Sequence, residues 1–312
     1  MPVRFVLDCD TGSDDAVALL AATAHPGLDL VAITTVSGNV ALEHTTDNTL
    51  RVLDHVGATV PVHAGAARAL TRADFPIPRA VLNKGNGFQR PHLDFPEAVS
   101  VPAGHRAAAF LVDTYMDDAF ADVALVAVGP LTNIALALAL EPRLAARIPR
   151  LVIMGGAHAN GNVTAAAEFN FWVDPEAAET VLSAGIGEVV IFPLDATHSA
   201  PLSEADCAGF DRIGTPAAKG AAMLIRHRIE HLRPAEDSAP VHDPMCVAYL
   251  LRPDLVTESV RAHVSVETTG ARTVGELLVD TRPWRPEPAN ATVALRASGE
   301  VYRDFLRSAF LG

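Results

Sequence analysis

Four aspartates fall within eight residues near the start of the chain: Asp8, Asp10, Asp14 and Asp15. Carboxylates packed this closely repel. Two unit charges about 4 Å apart interact with roughly 1 kcal/mol in bulk water and roughly 4 kcal/mol near a protein surface. A hard divalent cation with oxygen ligands relieves that repulsion, and Ca²⁺ or Mg²⁺ are the first choices. Three more polar clusters lie downstream: Asn39, then Asn160-Gly161-Asn162 with Glu168-Phe169-Asn170, then His242-Asp243. Each also has a purely structural reading. Asn39 suits a turn. His242-Asp243 before Pro244 suits a helix entry. Asp174 reads as an N-cap, with Pro175 at the first helical position. Asp8 either ligates or supports the turn by hydrogen bonds.

These residues need elements to hold them. The apolar run before Asp8 reads as a short buried strand, and Asp14 to Thr23 as a helix whose early acids suit its positive end. The aspartates therefore sit on a strand-to-helix turn, where open α/β sheets bind ligands. Leu28 to Val36 is a strand apolar nearly throughout, as one covered on both faces should be. Helix 41–56 and strand 60–63 follow. Residues 64–104 hold five prolines and read as irregular, with Asn83 to Phe88 as a loop over the site. A surface excursion without function is the alternative. Regular alternation resumes with helix 105–118, strand 123–128, a helix to Leu140, strands 151–154 and 188–192, and helices 215–231 and 245–251. An antiparallel tail, 260–280 and 291–295, precedes a last helix at 300–310. The rhythm predicts one α/β domain over residues 1–312. Its sheet would be open, mostly parallel and flanked by helices, Rossmann-like in layout, with a small antiparallel C-terminal part. A parallel sheet gathers the carboxyl ends of its strands on one edge, which is where the polar clusters fall.

The 312 residues are 49% hydrophobic, enough for a large core. A net charge of −13 supplies no basic footprint, which argues against nucleic acid and anionic membranes as partners. No apolar run approaches the length of a membrane span. Cys9, Cys207 and Cys246 show neither metal spacing nor an even disulfide set, and the chain starts without a signal-like segment. The expectation is a cytoplasmic protein acting on small molecules.

Asp8-x-Asp10-x-Gly12-x-Asp14-Asp15-Ala16 resembles the signature of the inosine–uridine-preferring nucleoside hydrolase family, with Thr11 where the common form has Pro. Further blocks follow in that family's order: Ser37-Gly38-Asn39, Gly129 to Asn133, Met154-Gly155-Gly156, Glu168-Phe169-Asn170, Asp174 to Ala177, Asp195-x-Thr197-His198 and His242-Asp243-Pro244. The resemblance spans roughly residues 3 to 250. It implies an open, mainly parallel sheet, homodimers or homotetramers, and hydrolysis of the N-glycosidic bond of ribonucleosides. Carried over by position, Asp10, Asp15 and Asp243 would bind Ca²⁺ by side chain and Val128 by its carbonyl. Asp14, Asn39, Asn162, Glu168 and Asn170 would hold ribose hydroxyls, and Met154 would line the sugar pocket. Asp10 would be general base to a Ca²⁺-held water, and His242 would assist the leaving base. Departure of the base leaves an oxocarbenium-like sugar, which negative surroundings favour. The family's loop histidine near residue 83 has no counterpart here, so base recognition falls to other groups. His227 and His231, four apart on one helix face, either contact the base or are ordinary helix histidines. Phe169 is a stacking or packing contact.

Two alternatives belong to other classes. A haloacid-dehalogenase-type phosphohydrolase also opens on a strand and DxD, but wants Thr or Val where Gly12 stands and leaves Asp14-Asp15 unexplained. A non-catalytic nucleoside- or calcium-binding member of the family would keep the ligands without turnover. An EF-hand loop fails at Gly12 and Ser13, and no G-x-G-x-x-G supports dinucleotide binding.

Overall fold

The computed structural model describes residues 1–72, 90–232, 235–284 and 287–312. The expected loop at 83–88 lies outside the described residues. The strands are β1 (Val3–Cys9), β2 (Leu28–Thr35), β3 (Val62–Ala64), β4 (Gly104–His105), β5 (Ala124–Ala127), β6 (Leu151–Met154), β7 (Val189–Phe192), β8 (Leu202–Ser203), β9 (Ser238–Ala239), β10 (Val256–Val266), β11 (Leu277–Asp280) and β12 (Ala291–Ala297). The helices are α1 (Ser13–Ala24), α2 (Leu42–Val56), α3 (Ala107–Met116), α4 (Thr132–Leu140), α5 (Phe169–Val173), α6 (Pro175–Ser183), α7 (Leu194–His198), α8 (Glu204–Ile213), α9 (Pro216–Leu232), α10 (Pro244–Leu251) and α11 (Gly299–Leu311).

Among the described residues one ten-stranded sheet runs β11-β10-β12-β7-β6-β5-β1-β2-β3-β4. All pairs from β12 to β4 are parallel, and β10 pairs antiparallel with both β12 and β11. This is the mixed sheet the strand–helix rhythm predicts. The antiparallel tail joins the main sheet, because β12 lies parallel against β7. The expected helix at 105–118 starts two residues later, because Gly104–His105 pairs with β3 at the sheet edge. Helix α8 has no counterpart in the sequence reading. Its capping box, Ser203 with Asp206, is the local signal that marks it.

Apolar side chains alternate between two cores, as strand geometry requires. In β1, Phe5, Leu7 and Cys9 face a core built with α1, α2, α8, α9, α10 and α11. Val6 faces a second core with α3, α4 and α6. Full burial of such a Leu or Phe contributes roughly 1.5–3 kcal/mol. The chain runs from β1 outward to β4, then returns to place β5 on β1's other side. That reversal makes the carboxyl ends of β1 and β5 a topological switch point, where a ligand crevice forms.

Candidate active site

The turn after β1 is held by its own acids. Asp15, on the first turn of α1, accepts Gly12 N–H at 2.9 Å and Asp10 N–H at 3.1 Å. Asn39, beyond β2, donates through Nδ2 to Asp15 at 3.2 Å, and its backbone N–H reaches Asp10 Oδ2 at 2.5 Å. So Asn39 is more than a turn residue. Two glycines leave room for Asp10. A Cβ at Gly38 would overlap Asp10 Oδ2, and one at Gly129, after β5, would stand 2.9 Å from Oδ1. Asp8 points elsewhere. Its carboxylate accepts Asn133 Nδ2 at 3.0 and 3.2 Å, and Asn133 also donates to Thr35 O and accepts Ala66 N–H. It supports the turn.

Helix α5 supplies the second wall. Glu168 caps it, accepting Asn170 N–H at 3.0 Å and Phe171 N–H at 3.3 Å, and takes Gly156 N–H at 2.9 Å. Asn170 Nδ2 donates to Val128 O at 2.9 Å and Met154 O at 3.1 Å, tying the ends of β5 and β6 together. Phe169 packs beside Ala167, Trp172 and Val173. Asn162 is exposed on the preceding loop, where its N–H meets Ala167 O. Asp195 accepts His158 N–H and Ala159 N–H and so fixes the start of that loop.

The third wall comes from α9 and the entry to α10. His242 is buried, with Nδ1 2.8 Å from Thr197 Oγ1. Its ring stands 5.6 Å from that of His198. Tyr302 Oη donates to Val241 O just before it. The rings of His227 and His231 lie 4.1 Å apart, tilted by 38°, and His231 Nδ1 lies 2.8 Å from His227 O. Arg228, between them in sequence, points into the site. It is 3% exposed, and its Nη1 lies 2.7 Å from Asp14 Oδ1. The sequence reading passes over it. It follows a polar pair, Arg226-His227, and its acidic partner Asp14 is over two hundred residues away in sequence.

Burial dominates the electrostatics. It pushes Asp15 up to about 6 and Asp8 and Glu168 up to about 7. It also raises Asp10 and Asp243 well above the usual carboxylate range, and neighbouring aspartates add to both. His242 is pushed well below its ordinary value by burial, then by Arg228 and His198, and is neutral at pH 7. Acids that hold protons this strongly lack positive charge. One oxygen each from Asp14, Asp15 and Asp243 lies within 4.8 Å of the others. Asp10 Oδ1 is buried without a hydrogen-bond partner. An orphaned oxygen beside three converging carboxylates fits a hard cation, and the donor set is all oxygen.

The structure thus brings Asp10, Asp14, Asp15, Asn39, Val128, Met154, Glu168, Asn170, His242 and Asp243 to one edge of the sheet. The tight acidic triad contains Asp14, where the sequence reading put Asp10 with Asp15 and Asp243. The two histidines of α9 flank the Arg228 that reaches Asp14.

A carboxylate-rich crevice at the switch point of such a sheet defines a class. The inosine-uridine preferring nucleoside hydrolase family matches residues 5–304, and the chain belongs to it. It is a ribonucleoside hydrolase. The pyrimidine-specific ribonucleoside hydrolase RihA of Escherichia coli is 40% identical over 310 residues, 98% of this chain and 97% of that protein. RihA of Photobacterium profundum is 38% identical, over 96% of both. Among solved structures, the purine-preferring ribonucleoside hydrolase from Gardnerella vaginalis superposes with a TM-score of 0.88, at 28% identity, over 99% of this chain and 98% of that one.

Proposed function

We propose that this chain, as one domain over residues 1–312, hydrolyses pyrimidine ribonucleosides to ribose and free base with a bound Ca²⁺. The observation that carries the mechanism is the buried, unpartnered Asp10 Oδ1 beside the converging acids. Asp10, Asp15 and Asp243 would hold the cation by side chain, and Val128 by its carbonyl. When bound, such a cation lowers the pKa of its water and fixes its place.

The chain's own groups do the rest. Asp10 accepts the water's proton through its free oxygen, as general base. Asp14, Asn39, Asn162, Glu168 and Asn170 hold the ribose hydroxyls, and Met154 lines the sugar pocket. A site built to bind hydroxyls discriminates against sugars that lack them. The surrounding carboxylates favour the positive charge that develops on the sugar. Neutral His242 gives a hydrogen bond to the departing base. Thr197 can donate either to His242 Nδ1 or to Leu194 O, 3.4 Å away. Only donation to Nδ1 leaves an Nε2–H for the base. Phe169, His227 and His231 would contact the base.

The match to pyrimidine-specific relatives supports uridine and cytidine as substrates. The family resemblance supports a homodimer or homotetramer, and three free buried cysteines suit a reducing cytoplasm. The test is released ribose from uridine, cytidine, inosine, adenosine and guanosine, with and without chelator. Uridine or cytidine should lead, and chelator should abolish turnover. Purine nucleosides ahead of both pyrimidines would overturn the base assignment, and chelator-resistant turnover the Ca²⁺ assignment.

A further inference from the structure

Three carboxylates, Asp14, Asp15 and Asp243, converge closely enough to share one cation. Among the described residues, only Asp14 of these three is in an ion pair with a resident positive side chain. Arg228 is the one buried lysine or arginine among the described residues. Its guanidinium is anchored before it meets the acid: Nε donates to Pro240 O at 3.0 Å and Nη1 to Ser13 Oγ at 2.9 Å. Nη1 then lies 2.7 Å from Asp14 Oδ1. Arginine cannot shed its charge in a protein, so this counter-ion is permanent. A buried guanidinium is costly unless paired, so the pair holds Asp14 as firmly as it holds Arg228.

We propose that Arg228 is a positioning residue that divides the labour of the acidic cluster. By occupying one oxygen of Asp14, it withholds that carboxylate from the cation and presents the other oxygen to the sugar. Asp15 and Asp243, which make no such ion pair among the described residues, go to the metal, with the charge of Arg228 also reaching Asp243 through space. Because Arg228 stands on α9, it also ties the helix carrying His227 and His231 to the turn carrying the acids. The sugar half of this inference rests on the ribonucleoside reading of the site, and the cation half does not.

The two halves predict shifts in opposite directions. Without Arg228, Asp14 is freed to ligate and a nearby positive charge is lost, so Ca²⁺ should bind more tightly. The same loss releases Asp14 from its place, so the ribonucleoside should bind more weakly. General structural damage would weaken both. Chelator-stripped full-length protein is titrated calorimetrically with calcium chloride. Arg228→Met should bind Ca²⁺ at least about tenfold tighter than the unsubstituted chain, while the KM for uridine rises about tenfold and kcat changes less. Arg228→Lys keeps the charge and should stay within about threefold of the unsubstituted chain for Ca²⁺. On an Asp14→Asn background the gain from Arg228→Met should vanish, since coupled residues are non-additive. If Arg228→Met does not fold by circular dichroism, Ser13→Ala, which removes one anchor, should shift both quantities in the same directions by less. Unchanged or weaker Ca²⁺ binding in the variant that folds, or no Ca²⁺ binding by either protein, overturns the proposal. Absence of ribose from every nucleoside would refute the functional reading alone, because the calcium titration still decides how the acids are divided.

Discussion

Asp10 differs from the other acids in what its two oxygens do. Oδ2 accepts the Asn39 N–H, whereas Oδ1 is buried and unpartnered. An amide at this position keeps a carbonyl oxygen for Asn39 but removes the proton acceptor. Asp10→Asn should therefore lower turnover by about 10²–10⁴, the usual range for a lost general base. It also removes a buried carboxyl that lacks a counter-ion, so without metal the variant should melt no lower than the unsubstituted chain. Ribose release and a thermal melt check both. Near-normal turnover would sink the general-base assignment.

At the scale of elements, the five-residue helix α5 matters beyond its length. Asn170 bridges the carbonyls of Val128 and Met154, at the ends of two neighbouring strands. Asn170→Ala leaves both carbonyls without that donor. Each hydrogen bond contributes about 0.5–1.5 kcal/mol net, so urea unfolding should show a loss of about 1–3 kcal/mol, together with a fall in kcat/KM for uridine. Unchanged stability would mean that the bridge holds nothing. The same element shows where the sequence was readable. The acidic turn could be read because its residues are contiguous and flanked by a strand pattern and a helix pattern. Glu168 and Asn170 could be named only through the family blocks, since nothing local says that an amide spans two strand ends. Arg228 was invisible for a similar reason. Helical spacing singles out His227 and His231 as one face, while the partner of Arg228 lies on α1. Contacts that depend on which strands become neighbours are set by topology, and no window of sequence contains them.

For the whole molecule, the buried acids set a pH dependence. Asp8 and Glu168 hold their protons to about pH 7 and Asp15 to about pH 6 in the folded chain. Unfolded, these carboxyls titrate near pH 4. Between those values the folded state binds more protons than the unfolded one, so stability falls as pH rises. Their stabilising contribution is complete below about pH 4 and lost through the folded values. Buried His242 has the opposite sign, but its effect ends near pH 6.5, where an unfolded histidine is neutral. Stripped of metal, the chain should melt higher at about pH 6.5 than at about pH 8.5, and added Ca²⁺ should raise the melting temperature most at the higher pH. Scanning fluorimetry reads this directly. A metal-free melting temperature that rises over that interval would contradict it.

The placement of β12 bears on how the chain is made. This strand, which begins at Ala291, well beyond the end of β7 at Phe192, sits between β7 and β10. While the chain is being synthesised, β7 therefore presents an unpaired edge long after the acidic turn has left the ribosome. A parallel pairing of such large sequence separation is slow to form. The sheet is completed only once β12 has emerged, so the nascent chain passes through a stage at which a sticky edge is exposed and the crevice is incomplete. Stop codons or frameshifts that fall before β12 should thus yield aggregation-prone products rather than shortened enzymes.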